Sequence, residues 1–64
     1  MNLKLARIRS GIKQKDFAKM LNVAPATLIN WEKDQGQDKI TLGKMKLAAK
    51  ILNSTVEELF LSEN

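Results

Sequence analysis

Two apolar patterns with helical spacing meet across only three residues, Asn22-Val23-Ala24, and that short break constrains the fold more than any other feature. The first pattern runs from about Lys13 to Leu21, with Phe17, Ala18 and Leu21 on one stripe. The second runs from about Pro25 to Lys33, with Leu28 and Trp31 on a common face. Helices joined by a turn of about three or four residues are held at a wide angle rather than in line. The break has suitable chemistry. Asn tolerates the left-handed backbone of a tight turn better than most residues, and Pro25 suits a first helical position, where its missing N–H would be unpaired anyway.

The rest of the chain repeats this punctuation. A helix is expected from about Asn2 to Ser10, with Gly11 as its stop. Asp34 to Lys39 is a polar loop, after which Thr41 caps a fourth helix with Leu42, Met45, Ala49 and Leu52 facing inward. Thr55-Val56-Glu57-Glu58 has the form of a capping box, in which Thr55 takes the N–H of Glu58 and the Glu58 carboxylate reaches back to Thr55. A short fifth helix with Val56, Leu59 and Phe60 apolar follows it. Strand alternation and hairpin dipeptides are missing. The expected fold is therefore all-α, a compact bundle of five short helices in a single domain spanning residues 1–64.

Composition narrows the chemistry. A 64-residue chain buries a small core, and it has no Cys or His, so disulfides and common zinc sites cannot supplement it. Stability must come from well-packed helices or a partner subunit. The methionines read as gap-fillers or the initiator rather than a cofactor box. Residues 1–50 carry all eleven basic residues against four acids, whereas residues 51–64 carry three acids and no base. A basic body with an acidic tail suits a polyanionic partner, with the tail turned away from it. The charged N-terminus lacks the apolar region of a leader, and no apolar run reaches membrane-spanning length. The expectation is a cytoplasmic protein, with no metal, cofactor, membrane or small-molecule ligand. Without His, Cys, a Gly-rich phosphate loop or a metal-ligand cluster, an enzyme is not expected.

Residues 14–33 resemble the helix-turn-helix of the Cro/repressor, or lambda-repressor-like (XRE), family. The likeness extends to Leu3, Arg7 and Gly11-Ile12 before it, Trp31-Glu32 at its end, Thr41-Leu42 opening the next helix and Thr55 to Phe60 closing the chain. It covers nearly the whole sequence in order. There are departures. Lys13 and Ala24 stand where the family places capping Ser or Thr, Asn22 stands where it usually has Gly, and the loop after Glu32 is slightly longer.

The resemblance implies a regulator, bacterial nucleoid-associated or phage-encoded, that binds a double-stranded DNA operator with helix 25–33 in the major groove. Base contacts are then expected from Pro25, Ala26, Thr27, Ile29, Asn30 and Lys33. Asn30 is the best reader, because its amide can pair with adenine N6 and N7. Apolar Pro25, Ala26 and Ile29 suit thymine methyls. Ile29 follows Leu28 and is expected to be exposed. Gln14 is a candidate for a phosphate contact or for buttressing the reading helix, and Lys13, Lys15, Lys39 and Lys44 for phosphate contacts. Arg7 and Glu32 occupy positions that the family often joins in a structural ion pair. Relatives usually dimerise, and Val56, Phe60 and Leu61 form the expected homodimer patch. An antitoxin, or a helical protein-interaction module without specific DNA binding, are the competing readings.

Overall fold

The computed structural model describes residues 2–36 and 39–61. Met1, Gln37 and Asp38 of the expected polar loop, and residues 62–64 with the acid Glu63 lie outside them. Among the described residues the chain forms five helices and no strand: α1 (Leu3–Arg9), α2 (Gln14–Leu21), α3 (Pro25–Glu32), α4 (Leu42–Ile51) and the short terminal α5 (Glu57–Leu61). The all-α fold and the five elements match the expectation from sequence.

Each boundary has a local cause. Gly11 has φ 72° and turns the chain out of α1. Asn22 takes the left-handed conformation, φ 57° and ψ 47°, so a single residue turns the chain between α2 and α3. The turn closes with the Val23 N–H on the Ala18 carbonyl at 3.0 Å. Pro25 opens α3, but Ala24 before it provides no side-chain cap. The Thr41 hydroxyl accepts the Lys44 N–H at 3.2 Å and caps α4. The Thr55 hydroxyl likewise accepts the Glu58 N–H at 3.1 Å. The second half of the expected capping box differs: the Glu58 carboxylate takes the Ser54 hydroxyl at 2.8 Å. The turns of α5 are wound more widely than those of an α-helix.

Phe17, Leu21 and Leu28 are fully buried, with Leu3, Ala18, Ala48 and Leu59 nearly so, and Trp31, Ile40, Ala49 and Leu52 complete the core. Val23, Met45, Val56 and Phe60 pack against it from the edge. Two inward assignments are corrected. Leu42 is 59% exposed, and Met20 is half exposed rather than filling a gap. The Met45, Ala48, Ala49 and Leu52 stripe meets the core, but Ile40 closes that end ahead of the helix, so the first turn of α4 projects past it. The N-terminus is tied to α5: the Asn2 N–H donates to the Leu59 carbonyl at 2.9 Å, and its side-chain amide donates to the Glu58 carbonyl at 3.2 Å.

Candidate nucleic-acid interface

α3 has one face in the core and one face open. Leu28 and Trp31 anchor it. Ala26 and Asn30 are exposed on the other side, with Pro25 exposed at the N-terminal end and Lys33 at the C-terminal end. Thr27 and Ile29 are half-buried. The expectation of an exposed Ile29 is corrected: its neighbour Leu28 points straight into the core, and Ile29 stands at the flank of that contact, leaving only part of it to meet a ligand.

The last residue of α3 is the most constrained. Arg7 of α1 grips the Glu32 carboxylate with two donors, Nε to Oε2 at 2.7 Å and Nη2 to Oε1 at 3.2 Å. Its third nitrogen, Nη1, donates to the Ile12 carbonyl at 2.8 Å. Gln14, opening α2, donates through Nε2 to Glu32 Oε1 at 2.9 Å. The two charged side chains are only 10% and 2% exposed. One carboxylate thus ties α3 to α1 and α2 at once, and a bidentate guanidinium fixes direction as well as distance.

Beyond Glu32 the chain folds back along α3. Lys33 donates its N–H to the Ile29 carbonyl, Asp34 to Trp31 and Gln35 to Asn30, at 3.1, 3.1 and 2.8 Å. Asp34, at φ 60°, is the left-handed residue this helix stop requires. A turn from Gly36 (φ 72°) brings the Lys39 N–H to the Gly36 carbonyl at 3.0 Å, and buried Ile40 anchors the exit. The result is a shallow cleft of about 310 Å³ with Thr27 and Asn30 on one wall, Gln35, Gly36 and Lys39 on the other, and Trp31 between them.

The helix-turn-helix family model matches residues 3–59. The chain belongs to the lambda-repressor-like helix-turn-helix family. No curated protein and no solved structure matches it. As a helix-turn-helix protein it is a DNA-binding regulator, with α2 and α3 as the paired helices. Among the described residues no helix is long and apolar enough to cross a membrane, and no group of His, Cys, Asp or Glu is placed to hold a metal ion.

Within this helix-turn-helix the expected phosphate residues divide. Lys13, Lys15 and Lys39 are exposed, the first two around the start of α2 and the third on the cleft wall. Lys44 is turned inward: its Nζ donates to the Leu21 carbonyl at the end of α2. A cation there offsets the negative end of the helix dipole and satisfies a carbonyl the helix leaves open, which gives Lys44 a structural contact beside its expected place among the phosphate lysines. Of the two roles open to Gln14, its amide makes the buttressing contact. Val56 and Phe60 lean on the chain's own core, and Leu61 is 68% exposed. Gln35 was missed, being one polar residue in a polar loop. The signal was its distance of five residues from Asn30, which a left-handed stop at Asp34 converts into adjacency.

Proposed function

We propose that this protein is a sequence-specific regulator that places α3 in the major groove of a double-stranded DNA operator, in the manner of a phage or mobile-element Cro-type repressor. The observation that carries the reading is the two-sidedness of α3. Leu28, Trp31 and Glu32 are held by the body of the protein, while Asn30 and Ala26 stand free on the opposite side and Pro25 is exposed at the N-terminal end. Asn30 is the base reader, able to form a bidentate pair with adenine, and the small apolar residues suit thymine methyls. Thr27, Ile29, Lys33 and the newly found Gln35 border that contact. Lys13, Lys15 and Lys39 supply the sequence-independent, salt-sensitive part of the affinity. A homodimer would set two such helices about one DNA turn apart, roughly 34 Å, on a two-fold symmetric site.

Selection from random duplex DNA near physiological salt, followed by gel shift of the winner, tests this. Enrichment of a two-fold symmetric, A·T-rich motif is expected. Asn30→Ala should then lose about 1–3 kcal/mol on the selected site and relax preference at one position of each half-site. No enrichment, or equal weakening on all DNA, would refute the operator reading.

A further inference from the structure

Gln35 lies beyond the end of α3, yet its N–H donates to the Asn30 carbonyl at 2.8 Å, so the loop carries it back alongside the helix. Left-handed residues on either side of it, Asp34 at φ 60° and Gly36 at φ 72°, set that return. The two carboxamide-bearing residues line the same cleft of about 310 Å³, Asn30 from the helix wall and Gln35 from the loop wall. Both residues are exposed, and among the described residues neither side-chain amide has a hydrogen-bond partner. The Gln14 amide, by contrast, is taken up by Glu32. Among the described residues the charge lining the cleft is that of exposed Lys39, and no carboxylate lines it.

We infer that Gln35 is a second specificity-determining residue, whose carboxamide reads the base pair next to the one that Asn30 reads. The inference rests on the operator reading and adds to it a base contact from outside α3. A carboxamide presents a donor and an acceptor in one plane, which matches N6 and N7 of adenine, and it carries no charge. Its chemistry therefore suits a base edge, whereas Lys39 on the same wall suits the phosphate beside it. Successive base pairs lie about 3.4 Å apart along each strand, so two amides lining one small cleft reach neighbouring steps. The tie between them is a main-chain bond. It holds the Gln35 backbone against α3 and leaves the side chain free to meet a base.

The test is selection from random duplex DNA with the full chain, for the wild type, Asn30→Ala, Gln35→Ala and Gln35→Glu, followed by gel shifts across a salt series. The wild type should enrich adenine at two adjacent positions. Gln35→Ala should lose the preference at the position that Asn30→Ala leaves intact. It should weaken the selected site about tenfold, with non-specific affinity and salt slope unchanged. Gln35→Glu should move the preference there from adenine to cytosine, whose N4 amino group donates to a carboxylate. A Gln35 that is only solvated would leave every position unchanged in both variants. A Gln35 that contacts phosphate would, as Glu, weaken all sequences alike without a change of preference. Either result overturns the inference. Gln35 is exposed, so folding, followed by circular dichroism, should be retained. A wild-type motif that Asn30→Ala relaxes and the Gln35 variants leave intact sinks this inference alone, whereas no motif from the wild type sinks the operator reading with it.

Discussion

Replacing Glu32 by Ala should come close to unfolding this protein. The side chains of Arg7 and Glu32 are 10% and 2% exposed, so removing the carboxylate leaves a guanidinium largely out of water with only the Ile12 carbonyl for company. It also strips Gln14 of its acceptor. Breaking a buried pair from one side costs about 3–5 kcal/mol, because the remaining charge is uncompensated. A domain of this length has only about 3–10 kcal/mol in total. At about 4–8 °C per kcal/mol the melting temperature should fall by roughly 12–40 °C. Removing both partners is a different perturbation. Arg7→Met with Glu32→Leu takes both charges out of the interior and should recover most of the loss, since apolar replacements of buried pairs are often neutral or better. Thermal and urea unfolding of the two single variants and the double completes the cycle. A Glu32→Ala cost below about 1 kcal/mol, or a double variant as unstable as the sum of the singles, would refute the claim that the network is buried and coupled.

Two lysines that look alike in sequence should separate cleanly. Lys39→Ala should weaken specific and non-specific DNA alike and flatten the salt slope by about one unit with little change in stability, whereas an unchanged slope removes Lys39 from the phosphate set. Lys44→Ala should do the reverse, costing about 1–2 kcal/mol in urea unfolding through the lost Leu21 contact and leaving the slope alone. Ala24 has extended backbone, φ −66° and ψ 144°, and lacks only a side-chain oxygen to cap α3. Ala24→Ser should therefore stabilise by about 0.5–2 kcal/mol, and a lower melting temperature would show that the position is sterically closed.

What the sequence made legible was local or periodic. Asn22 at the turn, Gly11 after α1 and Thr41 before α4 are residues whose own conformational and hydrogen-bonding preferences mark a boundary, and all three act that way. Leu28 and Trp31 share a face because of their spacing, whatever surrounds them. The misses have one character. Periodicity states the phase of Leu42 but not where the core ends, and Ile40 ends it first. Composition marks Lys44 as a cation but not which way a four-carbon arm turns. Asn30 and Gln35 are brought together by a left-handed stop at Asp34, which residue type alone does not distinguish from any other polar loop position.

The same contrast explains how α3 holds its shape. Eight residues are too few for a helix stable on its own, and Ala24 gives this one no side-chain cap. Its order must therefore be imposed from outside, and the structure shows where. Leu28 and Trp31 fix its inner face, Glu32 is tied to α1 and α2, and Gln35 closes on the Asn30 carbonyl from the returning loop. Asn30 lies between these ties, two residues from Leu28 and two from Glu32, so its amide is carried on a segment fixed at both sides. A bidentate contact depends on the angle of the amide as much as on its distance, so under the proposed function a residue buried as far from solvent as Glu32 would bear on the reading of a base.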